Sequence, residues 1–194
     1  SGVGSTIVFT HGWTDNRNAW DGVITNLNDH ARCIAWSIRG HGESFAPPPG
    51  QYTRDHTLSD LKVITQRSKE KVILAGHSLG GYLSLAHSLL YPEDVEALIL
   101  VGAGPGFRKK ESIDQWNSSV IESAKKLDLP EGSEATALHT DAWVIDSLSE
   151  IKVPTLVIVG EHDKRFKASM SVFEKYLNVK SSVVVEDAGH SVHR

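Results

Sequence analysis

Gly76-His77-Ser78-Leu79-Gly80 places a serine between two glycines, one two residues before it and one two residues after. The apolar run Lys71–Ala75 precedes it and a helical segment opening at Gly81 follows, so the pattern reads as strand, sharp turn, helix. In such a turn the serine takes a strained backbone conformation that points Oγ clear of the sheet. The glycines remove Cβ atoms that would collide there. A hydroxyl is a weak nucleophile until a base takes its proton, so a base and an acid that orients the base should follow along the chain. Asp163 ends Gly160-Glu161-His162-Asp163, just after the run Thr155–Val159, and His190 ends Asp187-Ala188-Gly189-His190, just after the last run. The order Ser78, Asp163, His190 is one of the chain orders in which a serine triad occurs. Asp187 and Glu161 are rivals for the acid. Among the other histidines, His77, His11 and His41 sit in glycine turns and read as polar groups that hold loops, and His193 falls outside the Gly-His pattern.

These residues need a frame that brings distant chain segments to one edge. Runs rich in Val, Ile and Leu recur at Thr6–Thr10, Arg32–Ile38, Lys71–Ala75, Val95–Val101, Pro154–Val159 and Ser182–Val185, each too short for a core helix and mostly apolar on both faces. They predict buried parallel strands. Helical segments lie between them: Trp20–Asp29, Thr57–Glu70, Gly81–Leu90 and Lys167–Tyr176. Alternating strand and helix predicts an α/β fold with a mostly parallel central sheet of about six strands and helices on both faces.

One interval breaks the alternation. Between Pro105 and Val153 no strand is apparent, but Ile113, Trp116, Val120, Ala124 and Leu127 recur at spacings of 3, 4, 4 and 3, the period of one helix face. Pro130-Glu131-Gly132 ends that helix, and Asp141–Leu148 starts another. The expected organisation is a core of residues 1–104 and 139–194 with a short helical cap, residues 105–138, over the ends of the strands where open α/β sheets bind ligands. Trp13, His77, Phe107 and Trp116 are the candidate pocket residues.

Composition bounds the function. A length of 194 residues fits one domain, and the 40% hydrophobic share, adjusted for 16 Gly and 4 Tyr, falls in the range of globular domains. A formal charge of −4 without a basic stripe argues against nucleic acid. The single Cys33 closes no intrachain disulfide, and no Cys and His cluster has zinc spacing, so no metal is expected. No apolar run is long enough to span a membrane, and Ser1-Gly2 opens no signal peptide, so the expectation is a cytoplasmic protein with no membrane partner.

Taken together, the chain resembles the α/β-hydrolase superfamily, in its esterase-like branch with a helical cap. The resemblance rests on Thr10-His11-Gly12-Trp13 after the first strand, Arg39-Gly40-His41-Gly42-Glu43-Ser44 after the second, the turn at Ser78, Val153-Pro154-Thr155, and Gly189-His190, and it covers nearly the whole chain. It implies hydrolysis of carboxylic esters through a Ser78 acyl-enzyme, with no cofactor and a small-molecule ester as partner. It also implies an oxyanion hole made by the backbone N–H groups of Leu79 and Trp13. The family's two opening antiparallel strands and its last helix have no counterpart here, and Ser37 stands where relatives commonly carry Asp. From the first departure follow two expectations: a loosely held His190, and exposed sheet edges that favour a homodimer. The short cap predicts a shallow site for small to medium acyl chains. The same triad also serves lactone, carbon–carbon and perhydrolase chemistry, and a hydrolase-fold ligand receptor can keep it intact. Dehalogenase and epoxide hydrolase chemistry places Asp at the position of Ser78, and here it is Ser.

Overall fold

The apolar runs form one six-stranded sheet in a computed structural model that describes residues 4–127 and 129–194. Ser1 and Gly2, read above for a signal peptide, lie outside the described residues. The strands are β1 (Thr6–Thr10), β2 (Arg32–Trp36), β3 (Val72–His77), β4 (Val95–Val101), β5 (Pro154–Gly160) and β6 (Asn178–Val185). Their order is β2-β1-β3-β4-β5-β6 and every neighbouring pair is parallel. All C-terminal strand ends therefore share one edge. The order reverses at β1, which pairs with β2 on one side and β3 on the other, and ligands of open α/β sheets bind outside the strand ends at such a reversal.

The helices are α1 (Asp21–Leu27), α2 (Arg54–Thr65), α3 (Leu79–Leu90), α4 (Lys110–Ala124), α5 (Trp143–Ser147) and α6 (Ser169–Tyr176). On one face Val8, Leu74, Leu98, Leu100 and Val157 pack against Leu58 and Leu61 of α2, Leu83 and Leu85 of α3, Val144 of α5 and Phe173 of α6. Truncating one of these buried leucines to alanine costs about 2–5 kcal/mol. On the other face Ile7, Phe9, Ala75 and Val101 pack with Trp20 and the apolar side of α1. Ile73, Ile99 and Ile158 stay half-buried there, and Val183 and Val184 on the edge strand β6 are exposed.

Several boundaries differ from the sequence reading by one to five residues, and four of the differences have a visible cause or consequence. β6 begins at Asn178 because its first half is an exposed edge whose polar residues carry no apolar signal. α2 begins at Arg54, since the Thr53 hydroxyl accepts the His56 N–H at 3.4 Å and caps the first turn. α3 begins directly after Ser78, at Leu79. In the segment between β4 and β5, α4 ends at Ala124, and Leu127, 43% exposed, falls outside the stripe that includes Trp116 and Val120. No helix among the described residues is long and apolar enough to cross a membrane.

Histidine supplies much of the buried polar surface. His11, 0% exposed, donates from Nδ1 to the Gly12 carbonyl at 2.6 Å and accepts the Ile38 N–H on Nε2 at 2.9 Å, which ties the loops after β1 and β2 together. Burial pushes its pKa down to about 4, that of His77 to about 3, and those of His87 and His139 to about 4. The fold thus holds these imidazoles neutral, whereas in the unfolded chain each takes up a proton near pH ~6.5. Their stabilisation is complete above that pH and is lost as pH falls toward about 4. Calorimetry is expected to show a melting temperature that declines steadily from pH 7 to pH 5. A midpoint that stays level or rises over that interval contradicts the neutral histidine core.

Candidate active site

Each candidate catalytic residue follows the C-terminal end of a different strand. Ser78 follows β3 and has φ 52° and ψ −114°, a conformation that only close packing on both sides maintains. That packing depends on the flanking glycines. A Cβ on Gly76 would stand 2.2 Å from the Gly80 carbonyl oxygen, and one on Gly80 would stand 2.1 Å from the Thr10 carbonyl oxygen. β1, β3 and α3 can therefore meet at the serine only where these residues have no side chain.

Asp163 follows β5 and is 5% exposed; its Oδ2 accepts the His190 Nδ1–H at 2.7 Å, and its Oδ1 accepts the Phe166 N–H at 3.3 Å. The bond at Nδ1 leaves His190 Nε2 as the acceptor nitrogen on the other side of the ring. Ser78, Asp163 and His190 line one cavity of about 670 Å³. No hydrogen bond joins Ser78 to His190 among the described residues, a looseness common in unliganded sites. The rivals for the acid stand elsewhere. Glu161 and Asp187 are exposed and absent from the cavity lining, and with His162 they bring ligating atoms within 4.8 Å of one another at the surface.

His190 has contacts beyond its bond to Asp163. His77 donates from Nε2 to the His190 carbonyl at 3.0 Å, and the Phe166 ring stacks on the imidazole at 4.8 Å with an 18° interplanar angle. The four following residues are packed as well: Val192 joins the α1-side core, His193 lies against Trp20 and His77 at 4.5 and 4.3 Å, and Arg194 pairs with Asp15. These contacts gave no signal in the sequence, because a tail of Ser, Val, His and Arg shows no periodic apolar pattern.

All four sequence-predicted pocket residues, Trp13, His77, Phe107 and Trp116, line the cavity. The backbone N–H groups of Trp13 and Leu79 have no acceptor among the described residues. Gly12, just before Trp13, comes so close to Ser78 that an added Cβ would lie 3.4 Å from the serine Cβ. Residues the sequence did not single out complete the walls. Tyr82 meets His139 edge-on at 4.5 Å, and its hydroxyl accepts from Arg54, whose guanidinium also makes two hydrogen bonds to Asp141 at 2.9 and 2.8 Å. Trp116 is fixed by its Nε1–H to the Ala137 carbonyl at 2.8 Å. Ser37 accepts the Arg17 N–H at 3.1 Å, so a hydroxyl does the loop bonding at that position.

The family model for the alpha/beta hydrolase fold matches residues 5–127. The chain belongs to the alpha/beta hydrolase family. It is 27% identical over 231 residues to a Bacillus subtilis protein named "Putative 2-succinyl-6-hydroxy-2,4-cyclohexadiene-1-carboxylate synthase", with 96% of this chain and 84% of that protein covered. It is 32% identical over 114 residues to the pimeloyl-[acyl-carrier protein] methyl ester esterase of Nitrosomonas europaea, covering 57% of this chain and 42% of the esterase. A thermophilic esterase from Thermogutta terrifontis, solved with malate bound, superposes with a TM-score of 0.81 at 25% identity, over 98% of this chain and 84% of its own. The chain spans less than half the length of several other curated relatives it matches, 46% of one and 38% of another.

Gly102, at the end of β4, is the functional position the strand pattern concealed. It has φ 51°, and a Cβ there would lie 3.2 Å from both Asp163 Oδ2 and His190 Nδ1, against the bond that joins them. The Val101-Gly102-Ala103-Gly104 run after a strand was the signal available for it. Gly102→Ala is expected to lower kcat about ten- to a hundredfold with the far-ultraviolet circular dichroism unchanged, since small displacements of a catalytic group cost factors of that size. Ester turnover within twofold of the parent would contradict this role.

Proposed function

We propose that this protein is a serine hydrolase that cleaves carboxylic esters of small to medium acyl chains. The observation that carries the reading is the 2.7 Å Asp163–His190 hydrogen bond on a cavity that also holds Ser78 at a strained turn. His190 Nε2 takes the Ser78 proton as Oγ attacks the ester carbonyl, and the carboxylate of Asp163 fixes the ring and balances the imidazolium. The tetrahedral oxyanion is received by the N–H groups of Leu79 and Trp13. Leu79 is the first residue of α3, where N–H groups have no partner within the helix and the helix dipole favours negative charge. The imidazolium returns its proton to the leaving alcohol, giving the acyl-enzyme. His190 then takes a proton from water, the hydroxide attacks the acyl carbon, and Ser78 departs with the proton.

The segment between β4 and β5 serves in this reading as a short cap. Phe107, Trp116 and His139 meet one another at 5.3–5.8 Å and close the inner wall, which favours short acyl groups. Esterase names among the relatives support the reaction class. The expected substrate profile on p-nitrophenyl esters is acetate and butyrate ahead of decanoate; a maximum at decanoate contradicts the cap as drawn. Ser78→Ala is expected to lower kcat by at least about a thousandfold while leaving the melting temperature nearly unchanged. Retention of most of the turnover would remove Ser78 from the mechanism. A single slow turnover that leaves a stable complex would instead favour the ligand-receptor reading.

A further inference from the structure

We propose that Arg165 reads a carboxylate on the substrate, so that the preferred esters are half-esters of dicarboxylic acids. This rests on the ester-hydrolase reading of the same cavity. The charged residues lining the cavity are Asp15, Asp163, Arg165 and Arg194. Three of them are engaged: Arg194 pairs with Asp15, and Asp163 holds His190. Arg165 makes no ion pair or side-chain hydrogen bond among the described residues. Its guanidinium instead lies 5.2 Å over the ring of Trp116.

That platform distinguishes Arg165 from a free surface arginine. Trp116 is anchored through Nε1 to Ala137 and packed against Phe107 at 5.6 Å and His139 at 5.8 Å. A cation–π contact of this kind uses none of the five N–H donors of the planar guanidinium, the group that receives a carboxylate in bidentate fashion. The neighbouring residue, Phe166, stacks on His190, so the short loop after Asp163 spans from the base to the Trp116 wall. A substrate whose ester carbonyl lies at Ser78 and whose other end reaches Trp116 meets this cation. One unpaired guanidinium matches a single negative charge, which fits a carboxylate rather than a phosphate dianion. The site is open to solvent, so the attraction is screened by salt and contributes moderately.

The test compares methyl hydrogen glutarate with its uncharged isostere, the amide methyl 5-amino-5-oxopentanoate. At low ionic strength the parent protein is expected to show a kcat/KM ratio of about tenfold or more in favour of the half-ester, carried mainly by KM. Arg165→Met should reduce the ratio at least fivefold and Arg165→Lys should keep part of it, since a lysine retains charge without the planar fork. Added sodium chloride should shrink the ratio of the parent. A ratio near one in the parent, or one that Arg165→Met leaves in place, overturns the proposal. Calorimetry on the Ser78→Ala protein separates this from the reaction class. Tighter binding of the half-ester that is lost on adding Arg165→Met supports the carboxylate site even if no ester is turned over, whereas absence of any preference overturns it.

Discussion

The hydrogen bond from His190 Nδ1 to Asp163 Oδ2, 2.7 Å long, joins two loops that follow neighbouring strands of the sheet, and most of the site depends on the space that lets it form. That space is made by glycine. Gly102 leaves room beside the bond, Gly160 lets β5 pass so close to the last loop that a Cβ would stand 2.1 Å from the Gly189 carbonyl oxygen, and Gly76 and Gly80 do the same at the serine. A parallel sheet brings the strand ends to one edge at 4.7–4.9 Å spacing, roughly, but a triad needs contacts shorter than strand spacing. The missing side chains supply the difference, at the cost of strain stored in Ser78, whereas Gly102 takes its φ of 51° without that cost.

Around that bond, the polar interior is built from neutral rings. His77 has two neighbours, His190 and His193, within 4.6 Å of its centroid, and the mutual repulsion of protonated imidazoles adds to burial in keeping it uncharged. A neutral His77 can donate from Nε2 to the His190 carbonyl without placing a second positive charge beside the imidazolium that the proposed mechanism forms at His190. His193 contributes in the same way, as a ring that fills the space between His77 and Trp20. These residues meet His190 through its backbone and its packing.

The parts of the fold that were legible in the sequence share one property: their signal is local. β1 and β4 match the apolar runs Thr6–Thr10 and Val95–Val101, and Ser78, Asp163 and His190 each stand just past such a run within a glycine-bearing turn. What stayed hidden depends on contacts between distant segments. Tyr82, in the cavity wall, is held by Arg54, which is itself fixed by Asp141, a partner 87 residues from Arg54. His139 becomes part of an aromatic wall only because α4 and the segment after it fold back to one place. Arg165 lies in a run of mixed charge that looks like an ordinary solvated loop until Trp116 is seen beneath it. The polar half of β6 belongs to the sheet through its pairing with β5, which no periodicity of its own reports.

The proposed mechanism makes Ser78 a nucleophile activated by His190. It is tested most directly by reaction with a fluorophosphonate probe followed by peptide mass spectrometry. One phosphonyl group per chain is expected, carried by the peptide containing Ser78, with labelling strongly slowed in His190→Ala while the protein remains folded. Labelling at another serine, or labelling of Ser78 at the same rate without His190, would contradict it.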